Sequence, residues 1–74
     1  MSKLKLINSR EFENFLLNEG FVKTRQAGSH AFYKHQDGRY TTLPHHGNED
    51  LPRPLIRTIL REINISIEEY NEKV

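Results

Sequence analysis

The chain has 74 residues, a formal charge of +1 at pH 7, 35% apolar residues and 28% charged ones. That length supports one domain, residues 1–74, with a modest core, and the periodic clustering of its apolar residues excludes full disorder. The absence of cysteine excludes disulfides and thiolate zinc sites and suits a reducing cytoplasm, and no apolar run is long enough to span a bilayer.

The start, Met1-Ser2-Lys3-Leu4-Lys5-Leu6-Ile7, carries positive charge without a signal peptide's apolar stretch or cleavage site. Asn8 or Ser9 can cap a helix, and Asn8-Ser9-Arg10-Glu11 has capping-box spacing. Phe12, Phe15 and Leu16 then recur at i, i+3 and i+4, which predicts a helix from about Ser9 to Glu19 with Gly20 as its left-handed stop. Phe21 to Gln26 has the composition of a strand. Gly28 permits a sharp bend, and His30 to His35 resumes an extended pattern. Asp37-Gly38 predicts a two-residue type I′ hairpin turn into Arg39–Leu43, with Pro44 ending the ladder.

His45 to Asp50 is a polar loop. Pro52 and Pro54 suit the first turn of a helix whose apolar face is Leu55, Ile56, Ile59, Leu60 and Ile63. Asn64 can end it, and Ser66-Ile67-Glu68-Glu69 has the form of a capping box that opens a last short helix. The order is therefore α-β-β-β-α with a short extra C-terminal helix. This is an α+β fold: a three-stranded antiparallel sheet with helices on one face, because each helix is apolar on one side only.

Charge is unevenly spread. The acids gather at Glu11, Glu13 and Glu19, at Glu49 and Asp50, and at Glu68, Glu69 and Glu72. Between Lys23 and Arg39 stand Lys23, Arg25, Lys34 and Arg39 against Asp37, with His30 and His35 in reserve. The middle of the chain is a locally basic sheet surface.

Gly28-Ser29-His30, followed by Phe32-Tyr33-Lys34-His35, Asp37-Gly38-Arg39 and Pro44-His45-His46, resembles the HicA (YcfA-like) toxin family over roughly residues 6 to 70. The ordered set is far more specific than Gly-Ser-His alone. The resemblance implies a fold similar to the double-stranded-RNA-binding domain. It implies a toxin of a type II toxin–antitoxin system that cleaves mRNA without the ribosome, and a HicB-type antitoxin that binds and silences it. It also implies that His30 is the active histidine.

RNA carries its own nucleophile, the 2′-hydroxyl. Cleavage needs a group that moves a proton and positive charge on the phosphate, and an unperturbed histidine titrates in the useful range. His30 is thus read as the general base or acid of a metal-independent endoribonuclease that needs no cofactor. Arg25 and Lys34 are expected to hold the scissile phosphate, with the backbone N–H groups of Gly28 and Ser29 as a small anion nest. His46 matches the family's Pro-x-His and is expected at the RNA or at the antitoxin. Arg57, with Arg53 and Arg61, forms a basic stripe suited to phosphates, although such a stripe on a surface helix is usually only solvated.

Plainer readings stand beside these. A histidine that opens a strand after Gly-Ser is, without the resemblance, more often a turn or packing residue. By parity His30, Phe32 and Lys34 share one strand face and Ala31, Tyr33 and His35 the other. If Phe32 is core, His30 points toward the helices. Tyr33, Tyr40 and Phe32 can stack on bases, yet aromatic residues in a small sheet are more often core. His45 reads as a loop residue, and the adjacent His45 and His46 make a poor metal pair. Two other functions fit the composition: a small RNA-binding domain without catalysis, and a protein-interaction domain.

Overall fold

The computed structural model describes residues 3–45 and 47–74. Helix α1 (Ser9–Asn18) opens with the expected capping box: Asn8 Oδ1 accepts from the Glu11 N–H at 2.9 Å, and Glu11 Oε1 accepts from the Asn8 N–H at 3.2 Å. Ser9 is instead a buried residue of the first turn. The helix closes with Gly20 at φ +96°, while the N–H groups of Gly20 and Phe21 return to the carbonyls of Leu17 and Leu16. This pair of bonds satisfies the last turn and sends the chain into the sheet.

Strands β1 (Val22–Ala27), β2 (His30–Lys34) and β3 (Tyr40–Pro44) form one antiparallel sheet in the order β1-β2-β3. The first hairpin is the tight one. Ala27 pairs with His30, so only Gly28 and Ser29 turn the chain. Gly28 has φ +62° and Ser29 has no positive φ, the sign pattern of a type II′ turn.

The second hairpin corrects the two-residue type I′ turn expected at Asp37-Gly38. Its loop has three residues: His35 N–H donates to Arg39 O, Gly38 N–H donates to His35 O, and only Gly38 has a positive φ, +102°. This is a type I turn followed by a glycine bulge. Asp37 keeps an ordinary φ, and its carboxylate accepts from the Arg39 N–H at 3.1 Å and from Arg39 Nε at 2.9 Å.

Helix α2 (Arg53–Glu62) ends as α1 does, with Asn64 at φ +57° in place of glycine and Ile65 N–H on the Leu60 carbonyl at 3.0 Å. Helix α3 (Ile67–Lys73) is capped by Ser66, whose hydroxyl accepts from the Glu69 N–H at 3.0 Å. The Glu69 carboxylate turns to Lys73.

One face of the sheet meets the helices. Ala31, Tyr33, Thr41 and Leu43 from the strands pack with Phe12, Phe15 and Leu16 of α1 and with Ile56, Ile59 and Leu60 of α2. Each large apolar side chain so buried stabilises the fold by about 1.5–3 kcal/mol. Tyr70 brings α3 into this core, with its ring 5.7 Å from Phe12 and 5.4 Å from Phe15, centroid to centroid. Its hydroxyl donates to the Lys5 carbonyl at 2.6 Å, and Asn71 Nδ2 donates to the Lys3 carbonyl at 2.7 Å. The first and last segments are therefore tied together, and the other sheet face is left uncovered.

Candidate functional site

Because Ala31 and Tyr33 are buried under the helices, the alternation of β2 puts His30, Phe32 and Lys34 on the opposite, helix-free face. Phe32 is half-buried and outside the core, which decides the parity question that the sequence left open. Pairing then builds three rows across this face. Ala27 and Pro44 flank His30, Arg25 and Thr42 flank Phe32, and Val22 and Tyr40 flank Lys34.

Arg25 reaches this face through an irregularity in β1. Lys23 pairs with Tyr33 and Arg25 with Phe32, so two residues of β1 advance against one of β2. Strict alternation would place Lys23 and Arg25 on the same side. The bulge sends Arg25 outward instead, and bulges re-aim side chains in this way. Its guanidinium carbon lies 4.7 Å from the Phe32 ring centroid, within cation–π range.

The expected basic surface is thus divided. Lys23 turns to Glu13 at 3.0 Å, and Arg39 is held by Asp37 at 2.9 Å, 5.2 Å over the Phe21 ring. Among the described residues no ion pair engages Arg25 or Lys34, and the three rows contain no acid. His30 is exposed, directly after the Gly28-Ser29 turn.

Arg25 is one cross-strand row from His30. Lys34 is four residues along β2, roughly 13 Å away at about 3.3 Å per residue. Arg57 projects from α2, beside a hollow shared with Arg61 and Ser66 on the helical side. The structure therefore brings His30, Gly28, Ser29 and Arg25 together, sets Lys34 at the far end of the same face, and separates Arg57 from them. His46 lies outside the described residues.

One cluster was not apparent from sequence. Tyr33 donates its hydroxyl proton to Glu13 Oε2 at 2.5 Å, and the Tyr33 hydroxyl oxygen is 3.1 Å from His45 Nε2. That donation lowers the pKa of Glu13 against the opposing effect of burial, with Lys23 adding to the lowering. Burial first, and then the Glu13 carboxylate, push the Tyr33 hydroxyl well above its ordinary range. An ionised carboxylate only accepts, so the Tyr33 proton goes to Glu13 and His45 donates from Nε2. The His45 backbone N–H in turn holds the Ser29 carbonyl at 2.7 Å. A half-buried polar chain from α1 thus anchors the turn that precedes His30. The three residues stand on α1, on β2 and just after β3, and no local sequence pattern signals their meeting.

A helix, a three-stranded antiparallel sheet and two further helices, with one sheet face open and basic, define a small α+β protein of double-stranded-RNA-binding-domain type. Residues 9–65 match the family described as the HicA toxin of bacterial toxin–antitoxin systems, and the chain belongs to that family. No curated protein matches the chain. Among the described residues no group of three or more His, Cys, Asp or Glu side chains converges as a metal site, and no helix is long and apolar enough to cross a membrane.

Proposed function

We propose that this toxin is an endoribonuclease that cuts mRNA independently of the ribosome, with His30 as its general acid or base and a HicB-type antitoxin as its inhibitory partner. The observation that carries the reading is the position of His30. It is exposed at the end of an acid-free sheet face, directly after a hairpin turn that a half-buried polar chain holds in place.

The proposed chemistry starts with a phosphodiester lying against the Gly28–His30 corner. His30 takes the proton of the 2′-hydroxyl or delivers one to the leaving 5′-oxygen. The 2′-oxygen attacks the phosphorus, the P–O5′ bond breaks, and the products are a 2′,3′-cyclic phosphate and a 5′-hydroxyl. A single positioned acid or base is worth about 10²–10⁴-fold. Arg25, one row from His30, adds positive charge where the phosphorane gains negative charge, and the N–H groups of Gly28 and Ser29 face the same anion. Lys34 is too far along the strand for the scissile phosphate and serves a neighbouring one. Arg57, on the helical side, contacts the RNA away from this face or serves the antitoxin, and His46 keeps its expected role at the RNA or at the antitoxin.

Substrate chemistry tests the reading. An RNA strand is expected to be cut in EDTA to cyclic-phosphate ends, and the same sequence with a 2′-deoxy sugar at the cut site is expected to survive. Equal cutting of both strands, or 3′-hydroxyl ends, contradicts it.

A further inference from the structure

We propose that the open sheet face carries a binding site for unpaired nucleobases of single-stranded RNA, built from the Arg25–Phe32 stack and Tyr40, beside the His30 corner. The site rests on the ribonuclease reading for its biological use; it shares Arg25 with that reading, while Phe32 and Tyr40 serve binding alone.

Tyr40, which opens β3, is 66% exposed, and Val22, in the same row, is 64% exposed. The other two tyrosines, Tyr33 and Tyr70, are buried in the core. The Tyr40 ring is thus open to solvent on the same face as Phe32, Arg25 and Lys34. A depression of about 510 Å³ opens among Thr24, Arg25, Phe32, Lys34, Gly38 and Tyr40, within the range of small-ligand sites.

Charge selects the occupant. Among the described residues Arg25 and Lys34 border the depression without ion-pair partners, and no carboxylate lies in the three rows. An anionic polymer with flat apolar groups complements this surface. The Arg25 guanidinium already lies over Phe32 at 4.7 Å, and guanidinium planes and aromatic rings are the platforms on which unpaired bases stack. A paired duplex keeps its base faces inside the helix and offers none to Tyr40. Geometry links the site to the corner: Phe32 is two residues from His30, roughly 7 Å along the strand. A chain with one phosphate at His30 therefore lays its next bases over Phe32–Arg25 and then over Tyr40.

The test is binding, measured apart from cutting. A labelled short unstructured RNA and a fully paired RNA duplex are titrated with the full chain in a His30→Ala background. Tyr40→Ala and Arg25→Ala are each expected to weaken single-strand binding roughly tenfold or more. Tyr40→Phe, which keeps the ring, is expected to bind as the parent does. Arg25→Lys, which keeps the charge and loses the plane, is expected to fall short of it. Thermal melts of each variant verify folding. Unchanged binding by Tyr40→Ala and Arg25→Ala overturns the site, as does tighter binding of the duplex than of the single strand. Loss of antitoxin binding with RNA binding intact also overturns it and gives the face to a protein. If the unmutated chain binds single strands through Tyr40 and never cuts them, the ribonuclease reading fails and the base site stands. If it cuts and Tyr40 is indifferent, the base site fails alone.

Discussion

Two glycines and one tyrosine hold the corner and its support, and each makes a distinct prediction. Gly20 and Gly28 both have positive φ, +96° and +62°, where an L-residue is strained by roughly 1–2 kcal/mol. They differ in surroundings. A Cβ on Gly20 would lie 2.9 Å from His35 Nε2, whose ring packs edge-on against Phe21 at 5.1 Å, whereas a Cβ on Gly28 meets nothing within 4 Å. Urea denaturation is expected to show Gly28→Ala destabilised by backbone strain alone and Gly20→Ala by distinctly more. Tyr33→Phe deletes the one hydroxyl shared by Glu13 and His45. Glu13 keeps Lys23 at 3.0 Å, but His45 Nε2 loses its partner and Glu13 its shorter bond, which is expected to remove about 1 kcal/mol in the same measurement. Local residues such as Gly20 and Gly28 were legible in the sequence because a glycine bend is written in one position. The Glu13–Tyr33–His45 chain was not, because its members meet only through the fold.

At the scale of elements, local chemistry placed most boundaries. The Asn8 capping box, the Gly20 stop, the Asn64 stop and the Ser66 cap all lie where residue type and spacing put them. Asn8→Ala, which removes the α1 cap, is expected to lower stability by about 1 kcal/mol in a urea titration. The failure at Asp37-Gly38 has a physical cause. Asp-Gly favours a two-residue turn in isolation, but Asp37 spends its carboxylate on Arg39, whose guanidinium also reaches the Ile63 carbonyl. That clamp ties the hairpin to the end of α2 and admits Gln36 into the loop. The face of His30 was equally hidden, because Phe32 and Tyr33 are both plausible core residues. Only the register shows that Tyr33 goes in and Phe32 stays out. The bulge that turns Arg25 outward has no local sequence signal at all.

At the scale of the molecule, the two sheet faces divide the labour: one builds the core, and the other presents His30, Arg25 and Lys34. Stability is expected to fall at both ends of the pH range. The Glu13 pKa is lower in the folded chain than in the unfolded one, so its contribution is complete above the ordinary carboxylate range, near pH 4.5, and is lost as pH falls below it. Tyr33 and Tyr70 are shifted the other way, Tyr70 to about 12, chiefly by burial. The unfolded chain then releases protons first, so stability declines as pH rises from about 10 toward 12. Urea midpoints across pH check both limbs, and Glu13→Gln is expected to flatten the acid one. The central claim concerns His30, and a paired digestion tests it most directly. Labelled mRNA is incubated in EDTA with the unmutated chain and with a folded His30→Ala variant. Cutting by the unmutated chain, reduced about 10²-fold or more in the variant, is the expected result; equal cutting by both would contradict it.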